Sequence, residues 1–389
     1  MEGFLKQTLV HCRLYDDMDW CNMNGILREA CFACTTPYQI MGAINIATDT
    51  QIDADIYIFG MFDGYREVAD RLRKEEIFTN VYAIDASLFK APGRKGALLQ
   101  MIKCKETVST FLPAEVSYKT IYSSSRAHIK NLLLHELIKR NKDLKIIIYD
   151  DGLGMYAKDS HVLNTTKARK CAERLFGWDL YIPDRISFMV NIPALFEKPN
   201  DLQQCDVLQM PFFQWDDENR RLLMSVFGVA EDDLIREKVV IFDSLRGFDH
   251  LRDEKMIQLD KCFSMADHYF GSEQTIMKPH PRSKKTTTAN ISLYQKTGVP
   301  MEILYAGMDH LDERVLITYA SSAVYTPKMY FNAEPWVINL FRIVDNQDGQ
   351  ESEWEITYQK FKKIYNRPEK VVAPRTIEEY EACLKELMN

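Results

Sequence analysis

Three short polar clusters in this 389-residue chain combine residue types and spacings that can do chemistry. Asp150-Asp151-Gly152 follows the apolar run Ile146-Ile147-Ile148-Tyr149. Adjacent carboxylates repel, and partial burial raises the pKa of at least one of them. Asp150, or alternatively Asp151, can then take a proton from an attacking hydroxyl, while Gly152 allows a tight turn and leaves room for a substrate. An ordinary Asp-Asp-Gly turn explains the tripeptide as well. In Lys278-Pro279-His280-Pro281-Arg282, two prolines fix the backbone around the histidine. Its imidazole can donate to a phosphate oxygen or hand a proton to a departing phosphate, and Lys278 and Arg282 add positive charge. Ser321-Ser322 stands where a strand gives way to a helix, so hydroxyls and free backbone N–H groups can form an anion site; a plain helix cap is the alternative. Glu302, in Pro300-Met301-Glu302, can point its carboxylate toward ribose hydroxyls or form a strand-entry salt bridge.

The elements that must position these clusters alternate along the chain. Ala30–Cys34 reads as a strand, followed by Thr35-Thr36-Pro37 and a helical run over 38–47. Ile56–Phe59, Val81–Ile84, Thr120–Tyr122 and Lys145–Tyr149 read as further strands. A helix after Ser123-Ser124-Ser125 has apolar spacing at Ile129, Leu132, Leu133 and Leu137. Residues 182–215, with several prolines and little periodicity, read as a long connection. The alternation restarts with strands at Val239–Phe242, Thr275–Lys278, Met301–Tyr305 and Val315–Tyr319. Short β-branched runs joined by helices predict parallel sheets covered on both faces. Two such units imply two Rossmann-like domains facing a cleft: residues 30–215 and 216–375, with 1–29 an unassigned leader and 376–389 a helix crossing back to the first domain. In open α/β sheets ligands bind beyond the carboxyl ends of strands, and all three clusters fall there. The first domain offers Thr35, Thr36, Tyr38 and Gln39 after its first strand, and Ser124 and Arg126 after its fourth. These hydroxyls, amide and ring suit sugar recognition, although helix capping accounts for the Thr and Ser residues equally well.

Bulk properties bound the alternatives. Apolar residues at 46% and charged residues at 27% describe a foldable globular chain. Its length suits two domains. A net charge of −7 argues against nonspecific nucleic-acid binding. No apolar run reaches membrane-span length and the first residues do not read as a signal peptide, so a cytoplasmic protein is expected. The nine cysteines read as reduced thiols, Cys31 and Cys34 as core residues within a strand. Basic runs at 281–285 and 358–375 suit contact with anionic lipid or glycan, or simply solvation. The two D-x-D tripeptides are poor nucleotide–metal sites: Asp53-Ala54-Asp55 precedes its strand, and Asp17-Met18-Asp19 lies in the leader.

The order acidic pair, His-Pro, Ser-Ser across two α/β halves resembles the bacterial sialyltransferases and polysialyltransferases, whose shared motifs are (D/E)-(D/E)-G, H-P and S-(S/T). Within that group the chain is most similar to glycosyltransferase family 52, the lipooligosaccharide sialyltransferases. ACFACTTPYQIMGAINI looks like that family's opening strand and loop, and IIIYDDGLGMY, KPHPR, VPMEIL and ITYASSAV look like its later landmarks. The resemblance runs from Ala30 to the C-terminus. It implies a GT-B fold and an inverting, metal-independent transfer of sialic acid from CMP-sialic acid to a galactose-type acceptor of a surface glycan, with α-2,3 linkage expected. It also implies roles: Asp150, or Asp151, as general base; His280 assisting departure of CMP; Ser321 and Ser322 on its phosphate. Gly152, Lys278, Pro281, Arg282 and Glu302 complete the expected donor site. No cofactor is expected. A homodimer and peripheral contact with the inner face of the inner membrane are further implications.

Three other readings stay open on the sequence: a transferase for another CMP-sugar of the Kdo type, a GT-B nucleotide-sugar epimerase or hydrolase that uses no glycan acceptor, and a catalytically silent binding protein.

Overall fold

The structure is a computed structural model that describes residues 26–89, 100–156 without 102 and 126, 178, 180–243, 253–280, 289–345 without 297, and 353–388. Two parallel sheets organise it. The first runs in the order β3-β2-β1-β4-β5-β6-β7, with β1 Ile26–Cys34, β2 Ala54–Phe59, β3 Asn80–Ile84, β4 Val116–Ser123, β5 Lys145–Tyr149, β6 Ile186–Val190 and β7 Asp206–Gln209. The second runs β10-β9-β8-β11-β12-β13, with β8 Val239–Asp243, β9 Thr275–Pro279, β10 Ser292–Leu293, β11 Val315–Thr318, β12 Trp336–Asn339 and β13 Val371–Val372. Both begin in the Rossmann order, and in each the chain reverses direction beside its first strand, between β1 and β4 and between β8 and β11. Crossover loops part at such points and leave a crevice at the carboxyl edge. This is the two-domain α/β architecture of the GT-B type.

The central strands are buried on both faces, which accounts for their unbroken apolar sequences. All of Ala54–Phe59 and Val239–Asp243 is buried. Phe32 of β1 stacks on Tyr122 of β4 with ring centroids 4.5 Å apart, and the register sets those two residues opposite each other. The helices that matter for the site are α1 Pro37–Thr50, α2 Tyr65–Lys74, α3 His128–Arg140, α4 Asp217–Phe227, α5 Asp253–Phe270, α6 Met301–Gly307, α7 Thr326–Phe331, α8 Glu353–Ile364 and α9 Ile377–Met388. Helix α4 bridges the units: Arg71 of α2 donates to the Val226 carbonyl at 3.3 Å, and Arg220 of α4 donates to the Gly307 carbonyl at 2.6 Å.

Four sequence expectations change. Strand β1 begins at Ile26, inside the stretch read as leader, with Ile26 and Leu27 exposed. The segment read as a connection carries β6 and β7; Pro183 and Pro193 sit at the starts of 3-10 turns outside those strands and leave the ladder intact. Residues 301–305 form a helix, not a strand. Pro300 presets its entry, and burial of every residue but Glu302 erases the helical period from the sequence. Among the described residues, the last helix packs on the second unit and does not cross back. Helix α9 packs on α5, where Tyr380 donates to the Cys262 carbonyl at 3.1 Å. The helix before it reaches the first unit instead: Lys360 of α8 donates to the Tyr156 carbonyl at 3.1 Å and to Glu197 at 2.8 Å.

Several smaller readings also resolve. Cys31 and Cys34 are buried free thiols whose pKa values burial pushes up, that of Cys34 to about 11. Much of the basic stretch 358–375 is engaged within the fold, with Lys370 buried against the Asp312 and Glu334 carbonyls. Asp55 lies at the amino edge of the first sheet, accepting from Arg28, Asn80 and Tyr118 at 2.9, 2.8 and 2.6 Å, away from the carboxyl edge. Among the described residues, no helix is long and apolar enough to cross a membrane.

Candidate functional site

Strand β5 ends by delivering Asp150 into the protein with no exposed surface. Its carboxylate accepts from the Gly152 N–H at 2.7 Å, the Asn191 N–H at 3.0 Å, the Tyr156 hydroxyl, and more loosely the Tyr38 hydroxyl at 3.4 Å. Gly152 sits at φ +87°, a left-handed conformation that favours glycine and folds its N–H back onto Asp150. Burial raises the Asp150 pKa from 3.8 to about 6, against the pull of the Tyr156, Asn191 and Gly152 hydrogen bonds. A carboxylate that titrates there is suited to accept a proton near neutrality.

Asp151 is held differently. The Gln39 side-chain amide donates to it at 2.8 Å. The Gln39 carbonyl oxygen in turn accepts from Lys130 at 2.9 Å, from the Thr35 N–H at 2.7 Å and from the Thr35 hydroxyl at 3.0 Å. With its carbonyl side so occupied, the amide can turn only its NH₂ toward Asp151. Lys130 is 1% exposed and also donates to the Ser124 and Ser125 hydroxyls, each at 3.3 Å. Burial lowers its pKa to about 8, with Asp151 pulling the other way. Burial raises Asp151, and Lys130 and Gln39 hold it back. The polar atoms of Thr35, Gln39 and Ser124, read from the sequence as acceptor-binding, are therefore engaged in positioning Asp151, and Thr36 caps α1 through the Gln39 N–H at 3.2 Å. Of that set, Tyr38 is the one whose hydroxyl borders Asp150. Arg126 lies outside the described residues.

In the second unit, β9 and β11 flank β8, so the His-Pro and Ser-Ser segments stand on either side of the Asp243 strand end. The His280 N–H donates to the Asp243 carbonyl at 3.3 Å, which ties the loop to the neighbouring strand. Lys278 is buried, its ammonium 4.9 Å from the Tyr294 ring centroid and without a hydrogen-bond partner among the described residues. Burial lowers its pKa to about 8, and Glu302 works against that shift. Glu302 stands in the first turn of α6; burial raises its pKa, and Lys278 is among the groups that hold it down. Ser321 caps a 3-10 turn, its oxygen accepting from the Ala323 N–H at 3.3 Å, and Ser322 is exposed. A serine oxygen used as a cap still has its own hydrogen to donate. Pro281 and Arg282 lie outside the described residues.

The two units meet beside Asp150. Tyr330 of α7 sets its ring 5.6 Å from that of Tyr38, at an interplanar angle of 77°. Its hydroxyl is fully buried and has no partner among the described residues. Burial first, then Asp150 and Glu302, push the Tyr330 phenol well above its usual pKa. One tyrosine thus stands in the electrostatic field of both the candidate base and a donor-side carboxylate. Among the described residues, no group of three His, Cys, Asp or Glu side chains is arranged to hold a metal ion.

The residues missed from sequence are Lys130, Tyr156, Asn191 and Tyr330. For Lys130 a signal existed, since it shares a helix face with Leu133, Leu134 and Leu137 (i, i+3, i+4, i+7), where a lysine is out of place unless paired.

No protein-family model matches the chain, and no curated protein sequence matches it. Among solved structures it is similar to a UDP-glucose:anthocyanidin 3-O-glucosyltransferase in complex with UDP, at 9% identity and a TM-score of 0.37, covering 94% of this chain and 99% of that one. It is also similar to the UDP-GlcNAc 2-epimerase of Methanocaldococcus jannaschii in complex with UDP-GlcNAc and UDP, at 10% identity and a TM-score of 0.40, covering 93% of this chain and 99% of that one. At these values the superpositions add nothing to what the sheet topology itself shows.

Proposed function

We propose that the chain is an inverting sialyltransferase that moves sialic acid from CMP-sialic acid to a galactose-type hydroxyl of a surface glycan without a metal ion. The observation that carries this reading is the placement of Asp150. It is buried at a strand end, its pKa raised to about 6, and Tyr330, which the second unit contributes, stands in its electrostatic field and packs on Tyr38. The order of the acidic, His-Pro and Ser-Ser motifs supports the choice of donor.

In this mechanism the acceptor hydroxyl replaces Tyr38, the most distant of Asp150's partners. The hydroxyl oxygen attacks the anomeric carbon while Asp150 takes its proton. The bond from that carbon to the phosphate oxygen breaks, and its electron pair leaves with CMP. His280 supplies a hydrogen bond or proton to the departing phosphate, and Ser321 and Ser322 donate to it. Lys278 provides the nearby positive charge, and Glu302 faces the ribose. Fixed donors of this kind act where charge develops. Asp151, held by Gln39, which Lys130 holds in turn, sets the shape of the acceptor side.

The test is incubation with CMP-sialic acid, with and without lactose, read by mass spectrometry. Sialyl-lactose is expected only when lactose is present. CMP release at the same rate without lactose would instead mark a hydrolase. Transfer from CMP-Kdo but not from CMP-sialic acid would reassign the donor.

A further inference from the structure

A hollow of about 560 Å³ opens at the carboxyl edge of the first sheet, two strands away from the candidate base's neighbours, and no step of the mechanism uses it. The loop after β2, the turn after β3 and the start of α3 form its walls, with Phe62, Tyr65, Arg66, Phe89 and His128 among the lining residues. Its floor is built. A Cβ at Gly60 would stand 2.4 Å from the Tyr65 ring, so only glycine lets that ring lie against the backbone. Arg66 donates to the Tyr65 hydroxyl at 2.8 Å and lies 3.7 Å from Asp85, which sets the guanidinium beside the ring.

The hollow and the acidic site are linked through helix α3. Helix α3 presents His128 to the hollow and, two residues on, Lys130 to Gln39, whose amide bonds Asp151. The sheet order β2-β1-β4-β5 separates the two by three strand intervals, about 14 Å at the usual spacing. A chain of sugars whose terminal hydroxyl reaches Asp150 and whose body crosses the ends of β4 and β1 arrives here. The chemistry fits a neutral polyhydroxyl ligand: aromatic rings for sugar C–H faces, and a mixed set of Asp63, Glu67 and Arg66 for hydroxyls, which disfavours a polyanion.

We infer that this hollow is a distal acceptor subsite, which binds neutral sugar residues of the acceptor glycan inward from the reacting galactose. The inference rests on the transferase reading. It predicts that acceptor length matters. In wild type, kcat/KM rises from methyl galactoside through lactose to a galactose-terminated neutral tetrasaccharide. In Tyr65→Ala and in Arg66→Ala, the tetrasaccharide-to-lactose ratio of kcat/KM falls about five- to tenfold, whereas Tyr65→Phe, which keeps the ring, retains most of it. A wild-type ratio near one, or a ratio that neither Tyr65→Ala nor Arg66→Ala changes, overturns the subsite and leaves the transferase reading standing. If no CMP-sugar is transferred to any acceptor, that reading fails by itself. The subsite is then decided by saturation-transfer NMR on the tetrasaccharide: saturation of its inner residues that Tyr65→Ala abolishes supports it, and absence of saturation in wild type overturns it.

Discussion

Lys130 Nζ lies 2.9 Å from Gln39 Oε1, and through that amide a buried lysine is tied to an aspartate it does not touch. The arrangement makes Lys130 and Asp151 a single electrostatic unit. Removing either alone leaves the other's charge uncompensated. Lys130→Met and Asp151→Asn should each destabilise the fold by about 1–3 kcal/mol, and the double variant by clearly less than their sum. Urea unfolding of all four proteins measures this; strict additivity would show that Gln39 does not couple them.

Asp150 should set the acid limb of the reaction. Its pKa of about 6 means kcat/KM for transfer rises with pH through that value and levels off above it. Asp150→Asn should lower kcat by about 10²–10⁴, because an amide cannot take the hydroxyl proton. A pH–rate profile flat between about pH 5 and about pH 7, or full activity in Asp150→Asn with loss in Asp151→Asn, would transfer the role to Asp151.

The same shift has a consequence for stability. The folded pKa stands above the ordinary 3.8, so between those two values the folded state binds more protons than the unfolded one. The contribution of this carboxyl is therefore full below 3.8 and is lost as pH rises through about 6. The Tm of Asp150→Asn relative to wild type should shift in the variant's favour from about pH 4.5 to about pH 7. A difference that stays constant, or moves the other way, contradicts the assignment of this pKa to Asp150.

The sequence made the strand ends legible because buried parallel strands carry near-continuous apolar runs and polar clusters close them, as at Ile146–Asp151. It did not make α6 legible: Met301–Gly307 is buried at every residue but Glu302, and a short run of that kind has the same signature in a strand. Strands β6 and β7, the last two of the first sheet, were obscured by prolines that belong to the neighbouring turns. The Asp-Asp-Gly and His-Pro clusters were visible because their chemistry is local. The partners that tune Asp150 were not. Tyr156 follows six residues later, but Asn191 comes from β6's end and Tyr330 from the other unit. Only the fold brings them together.

Tyr330 offers a way to separate folding from function. Its hydroxyl is buried without a partner among the described residues, and removing such a group while keeping the ring costs little or stabilises the fold by up to about 1 kcal/mol. Tyr330→Phe should therefore keep or raise Tm. A hydroxyl that reaches the bound substrates would make the same variant lower kcat/KM. A fall in Tm would show that the phenol has a structural partner.

Transfer should survive excess EDTA, since Lys278 and His280 are assigned the positive charge and hydrogen bonding on the phosphate side. Complete loss, restored by Mg²⁺ or Mn²⁺, would end the metal-free mechanism.

Lys278 gives the strongest test of the donor site. An ammonium buried against Tyr294 with no hydrogen-bond partner among the described residues is costly in the ligand-free protein. Lys278→Met keeps the side chain's length and removes the charge, so without nucleotide the variant should be more stable, on the order of 1–3 kcal/mol. With CMP the order should reverse, because the lost charge no longer meets the phosphate. CMP affinity by calorimetry should fall about tenfold or more, the factor that 1.4 kcal/mol sets, and the nucleotide should raise the variant's Tm less than that of wild type. His280→Ala should weaken CMP as well. The double variant should lose less than the two single losses added together, since both groups are assigned to one phosphate. Unchanged CMP affinity in both single variants would mean that the end of β9 does not bind nucleotide, and the donor would have to be sought elsewhere on the second sheet.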